Sequence, residues 1–115
     1  MGLNNRPCFY RTFQTSVHEK QIKIHSEIVK KELKKVNARK VILRGPSEEY
    51  WSVKVFKTKK DVFLGEGWQR FVKQNFIQEK DFLLFKYDGV MCFTVQIYDK
   101  SGLERGKSHP EHEMP

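Results

Sequence analysis

Cysteine is scarce in this chain. Cys8 and Cys92 are the only two in 115 residues, too few for the disulfide framework of a small secreted domain. They read as largely buried free thiols in a reducing compartment. Long hydrophobic runs are missing as well, since nothing approaches the ~20 apolar residues of a membrane span. The opening Met-Gly-Leu-Asn-Asn-Arg-Pro lacks the apolar centre of a secretory signal. The chain therefore reads as intracellular and soluble. Acidic residues are outnumbered, 14 Asp and Glu against 22 Lys and Arg, which leaves a formal charge of +8. Such an excess on a short chain points to a polyanionic partner, because self-repulsion is otherwise a cost without return. A soluble protein that is merely basic is the alternative.

Catalytic constellations are also lacking. Acidic residues are scattered among basic ones, and no serine or cysteine stands beside an evident base. The stretch Gly102-Leu103-Glu104-Arg105-Gly106-Lys107-Ser108 imitates a phosphate-binding loop but has three residues between its glycines where four are required. It also runs into His109-Pro110 and not into a helix. His109 and His112 have a spacing found in metal sites, but no second ligand pair accompanies them. His18 and His25 have no cysteine nearby. No enzyme activity, metal, cofactor or small-molecule substrate is expected.

What the sequence does carry is bulky apolar material, nine Phe and two Trp, arranged mostly at strand spacing. Strand patterns fall at 9–13, 21–25, 40–44, 50–56, 62–64, 82–87 and 91–98. In the fourth, Trp51, Val53 and Val55 alternate with Ser52 and Lys54. Asp88-Gly89 suits a two-residue hairpin turn between the last two. Two helices interrupt the pattern. Ser26 caps the first, with Glu27 in its first turn, Lys34 and Lys35 in its last, and Val29, Leu33 and Val36 as an apolar stripe. The second starts near Gly67 and carries Trp68, Phe71 and Val72 on one face. The expected architecture is mainly β, a seven-stranded open barrel with two short helices at its ends. Residues 1–7 read as a loose N-terminus, 8–99 as the folded unit, and 100–115 as a flexible tail or linker. That tail looks cut short, so further domains of a larger regulator are expected.

Positive charge concentrates in two places. One runs through Lys20, Lys23, Lys30, Lys31, Lys34, Lys35, Arg39, Lys40 and Arg44, of which the helical members equally fit a solvated face. The other, Lys54, Lys57, Thr58, Lys59 and Lys60, bridges two strands. Lysines that repel one another in a short connection, with no core to serve, make sense against phosphates, and a solubilising turn is the alternative. The loop at 14–20 differs in kind. Gln14, Thr15, Ser16 and His18 are short donors and acceptors suited to base edges, with Lys20 beside them.

These segments, in this order, resemble the plant-specific B3 DNA-binding domain, and most of all its reproductive-meristem branch. The matching residues are Phe9-Tyr10-Arg11-Thr12-Phe13, Gln21-Ile22-Lys23-Ile24, Tyr50-Trp51-Ser52-Val53-Lys54-Val55, and Val62-Phe63-Leu64 followed by Gly67-Trp68-Gln69-Arg70-Phe71-Val72. Asp81-Phe82-Leu83-Leu84-Phe85-Lys86-Tyr87-Asp88-Gly89 and Phe93-Thr94-Val95-Gln96-Ile97-Tyr98 complete it. The resemblance implies a pseudobarrel that holds double-stranded DNA like a wrench, in the nucleus, in transcription regulation. By position its N-arm would be residues 14–20 and its C-arm residues 57–61, both entering the major groove. The sequence-reading branches have a longer C-arm with arginine, tryptophan and asparagine, whereas this one is short and lysine-rich. Lysine is a point charge without arginine's planar fork, so weak sequence preference is expected. A module binding RNA or an acidic protein surface on the same fold is the alternative.

Overall fold

The computed structural model describes residues 6–105. Eleven elements follow in chain order: β1 (Cys8–Thr12), α1 (Thr15–His18), β2 (Ile22–Lys23), α2 (Glu27–Lys35), β3 (Lys40–Arg44), β4 (Tyr50–Lys57), β5 (Val62–Leu64), α3 (Trp68–Gln74), β6 (Phe82–Tyr87), β7 (Cys92–Tyr98) and β8 (Glu104–Arg105). Seven strands make one curled sheet in the order β1-β6-β7-β3-β4-β5-β2, and β8 pairs with β7 off that path. All pairings are antiparallel except β3 with β7, where Leu43 lies opposite Phe93.

Curling follows from the connectivity. The strands at the two ends of the order, β1 and β2, are neighbours in sequence, joined by residues 13–21. That nine-residue link turns the two edges toward each other, and the sheet remains an open, curled half-barrel. The inward positions of each strand then converge. Val41 and Leu43, Trp51 and Val53, Leu83 and Phe85, and Phe93, Val95 and Ile97 are buried at every second residue. Phe9 stacks on Phe85 at 5.0 Å between ring centres, and Phe93 stands edge-on to Phe85 at 6.0 Å.

The helices close the barrel. In α2 the Ser26 hydroxyl accepts from the Val29 amide at 3.2 Å, and Val29 and Leu33 are fully buried. The expected third member of its stripe, Val36, is 45% exposed, because the helix ends there and Asn37 turns the chain through a positive φ of 52°. In α3, Trp68, Phe71 and Val72 face inward as their spacing predicts. Its start presses on β4. Gly67 has φ +102°, and a Cβ there would sit 2.4 Å from the Ser52 carbonyl oxygen.

Three local features depart from expectation. The β6–β7 hairpin forms, but Asp88 N–H donates to the Cys92 carbonyl at 2.8 Å, leaving Gly89, Val90 and Met91 as a three-residue connection. Both Gly89 and Met91 have positive φ, and the Met91 amide is caught by the Tyr87 hydroxyl at 3.2 Å. A single helical turn, α1, stands where a loop was expected. The chain also stays ordered past residue 99 as β8, where Arg105 clasps Asp81 at 2.5 Å. The remainder of the supposed tail, with His109 and His112, lies outside the described residues. Among the described residues no helix is long and apolar enough to cross a membrane.

Candidate nucleic-acid interface

The two segments singled out by polarity and charge flank one short ladder. β2 runs antiparallel to β5, with Ile22 opposite Leu64, Lys23 opposite Phe63, and the Ile24 amide bonded to the Val62 carbonyl. The N-arm (residues 14–20) enters the ladder at Ile22 and the C-arm (residues 57–61) enters it at Val62. They therefore stand at opposite ends of a three-residue floor about 7 Å long, at ~3.3 Å per residue. Ile22, Val62 and Leu64 point into the core, so Lys23 and Phe63 point out. The same face continues onto β4, where Phe56 lies opposite Phe63 and stacks on it at 4.7 Å.

Lys23 belongs to both arms. It lines a cavity at the root of the N-arm, and its ammonium reaches the Asp61 carboxylate of the C-arm at 4.0 Å.

The N-arm is built around a buried histidine. His18 is 3% exposed, with its ring against Phe13. The Gln14 amide donates to Nδ1 at 3.1 Å, and Arg11 Nη2 lies 2.8 Å from Nε2. A neutral imidazole has one lone pair and guanidinium carries only donors, so two donors compete for one acceptor. A protonated ring would offer none. Burial first, then the charges of Arg11 and His25, hold the His18 pKa below its usual value, against an opposing pull from Glu79. His18 thus faces the interior, away from any base edge. Gln14, Thr15, Ser16 and Lys20 are exposed. The Thr15 amide at the start of α1 donates to the Glu79 carboxylate at 2.8 Å, the main reason that carboxyl titrates low.

The C-arm is a tight turn braced by α2. Thr58 and Asp61 exchange two hydrogen bonds, Thr58 N–H to the Asp61 carbonyl and Asp61 N–H to the Thr58 hydroxyl, each 2.9 Å. Lys34 reaches across from α2 to the Lys59 carbonyl at 3.1 Å. Lys57 donates to the Asn37 side chain at 3.3 Å, so its ammonium is turned toward the end of α2. Lys59 and Lys60 remain exposed at the tip. Lys54 stands further along β4 and pairs with Glu66 at 3.3 Å, an exposed contact of small energetic weight.

The structure therefore brings Lys23, Thr58, Lys59 and Lys60 to one edge of the floor, and Gln14, Thr15, Ser16 and Lys20 to the other. It keeps His18 beneath the surface and engages Lys57 and Lys54 within the protein. Arg11, Gln21 and Phe63 were not among the residues expected at the interface. A lone arginine between aromatic residues on a strand gives no local sign of facing a cleft. Lys34 was recognisable only as one of several helix lysines.

Comparison with known proteins identifies the family and the fold. The profile of the B3 DNA binding domain matches residues 9–101. Similar curated sequences include the B3 domain-containing protein Os03g0622100 of Oryza sativa subsp. japonica, 43% identical over 70 residues. Another is Os03g0212300 of the same organism, 35% identical over 85 residues. The matches cover 60% and 72% of this chain but only 18% and 30% of those proteins, so the chain spans less than a third of the length of these relatives. Among solved structures, the hypothetical Arabidopsis thaliana protein At1g16640.1 superposes with a TM-score of 0.67 at 28% identity, over 86% of this chain and 96% of that one. The N-terminal domain of Helicobacter pylori LlaJI.R1 shares the fold alone, with a TM-score of 0.61 at 23% identity, covering 78% of this chain and 79% of its own. With the curled seven-stranded sheet and a profile match over residues 9–101, this chain belongs to the B3 DNA-binding domain family of plants.

Proposed function

We propose that the domain binds double-stranded DNA as part of a nuclear transcription regulator, its two arms straddling the edge of the major groove. Basic residues contact phosphates, and sequence preference is weak. The observation that carries this reading is the position of Lys23, on a floor bordered by both arms and within reach of each. A binding surface needs such a shared face, because two arms on separate sides could not hold one duplex. Lys59, Lys60 and Lys20 supply mobile positive charge around it, while Gln14, Thr15 and Ser16 supply the short polar groups able to reach base edges. His18 acts from beneath by fixing the N-arm. A place in the reproductive-meristem branch is supported by the short, lysine-rich C-arm. No catalytic role is assigned to any residue.

A salt titration tests the reading. If about five phosphates are neutralised, log affinity falls against log salt with a slope of roughly −4 to −5. Replacing Lys57, Lys59 and Lys60 by Ala weakens binding to all duplexes alike and lowers the slope by about 2, since Lys57 is already engaged with Asn37. Competition with single strands and RNA separates duplex binding from the rival partners. A flat salt dependence, discrimination above about a thousandfold, or a triple variant that binds like its parent counts against it.

A further inference from the structure

Resting on that reading, one charged group beside the floor lacks a counter-ion. Arg11 projects from β1 into the root of the N-arm, where its Nη2 meets His18. Its Nε is sealed from solvent and has no hydrogen-bond partner. Among the described residues no carboxylate lies within ion-pair distance of its guanidinium. A guanidinium left in this state is costly, since buried charges are normally paired.

The surroundings add a second cation, Lys23, and no carboxylate among the residues that line the cavity. Arg11, Val17, His18, Gln21, Lys23 and Phe63 line a cavity of about 110 Å³, several times the ~30 Å³ share of one water molecule. Two cationic side chains and one amide converge there, and Val17 and Phe63 provide apolar walls that strengthen any charge interaction inside. The Asp61 carboxylate, 4.0 Å from Lys23, is shared with Lys30 at 3.7 Å, so it neutralises neither fully. The pKa of His25, at the far end of the same ladder, is lowered first by burial and then by the charges of Arg11 and Lys23, against an opposing pull from Asp61.

We infer that a single backbone phosphate of the duplex seats in this cavity, gripped by the Arg11 guanidinium and Lys23 with the Gln21 amide beside them. Arginine and lysine are donors without acceptors, which fits a phosphate oxygen. Lysines at the arm tips are mobile, whereas Arg11 is fixed by His18 and the barrel wall. It is therefore the contact that sets the register of the duplex between the arms.

The test compares wild type, Arg11→Lys, Lys23→Ala and Gln21→Ala on one mixed-sequence duplex at several salt concentrations. Lys23→Ala reduces the salt slope by about 0.9. Arg11→Lys lowers affinity about tenfold with the slope unchanged, because the charge stays while the forked donors are lost. Gln21→Ala weakens binding a few-fold without touching the slope. Should Arg11→Lys melt early, the decision passes to the Arg11 Nε–H resonance of the wild-type protein, which shifts on adding the duplex. A shift with inorganic phosphate but none with duplex overturns the inference, as does wild-type affinity in both Arg11→Lys and Lys23→Ala. A wild-type protein that ignores duplex DNA altogether sinks the proposed function instead, so the two failures are distinct.

Discussion

The indole Nε1 of Trp68 donates to the carbonyl oxygen of His18 at 2.7 Å, tying α3 to the N-arm across 50 residues of chain. Both partners are buried, and the indole is otherwise held by Phe71 and Phe85. Trp68→Phe keeps most of the aromatic volume and removes the donor, leaving a buried carbonyl unsatisfied. A loss of about 2–3 kcal/mol is expected, with weaker DNA binding as the arm loosens. Urea melts give the first number and a duplex titration the second. Parental values in both would show that the arm is held by something else.

Stability should depend on pH through His18. In the unfolded chain the imidazole titrates near its ordinary 6.5, and in the folded protein it titrates lower because of burial and Arg11. Between those values the unfolded chain binds more protons, so stability is complete above about pH 6.5 and declines as pH falls. His25 acts in the same direction. Carboxyl groups held low, such as Glu79, contribute only as pH approaches the usual glutamate value of 4.5. Urea midpoints at pH 7.5 and 5.5 are expected to drop for wild type and to drop less for His18→Gln, which carries no titrating ring. An equal drop in the two proteins would remove His18 from the account.

Arg105 closes the other end of the domain. It bonds the buried Asp81 carboxylate and the carbonyls of Asn75 and Phe76 at the end of α3. Arg105→Ala strands Asp81 with the Gln78 amide as its remaining partner, at an expected cost of about 3 kcal/mol. Ending the chain at residue 99 should cost at least as much. Calorimetry on both variants checks this, and a truncated domain as stable as the parent would refute it.

Gly67→Ala is expected to be among the most damaging single changes. The new methyl group meets the Ser52 carbonyl, a fixed part of β4, and the backbone would hold an L residue at φ +102°. A loss of several kcal/mol, or failure to fold, follows. A melting temperature within a few degrees of the parent would mean that α3 shifts freely on the sheet.

The seven main strands and both longer helices were legible because each rests on a local pattern: alternation in β4 and β7, the Ser26 cap of α2, the Trp68, Phe71 and Val72 face of α3. What escaped depends on partners distant in sequence. The single turn α1 is set by Glu79, 64 residues away, and by the inward pull on His18, which from its polar neighbours reads as a surface residue. β8 is two residues long and has no periodicity, and its anchor is Asp81. The lysines at the tip of the C-arm announce themselves by charge density. Arg11 does not, because its significance lies in lacking a counter-ion, which no sequence pattern records.

The order of the sheet also governs how the domain is made. Phe9 finds its strand neighbour in Phe85, and Leu43 finds one of its two in Phe93, so both wait for the last third of the chain to leave the ribosome. Until then the β3–β4 hairpin presents Val41, Leu43, Trp51 and Val53 to solvent as an uncovered apolar ribbon, open to mispairing and in need of chaperone cover. A chain cut before β7 is therefore expected to expose this ribbon and to aggregate rather than bind.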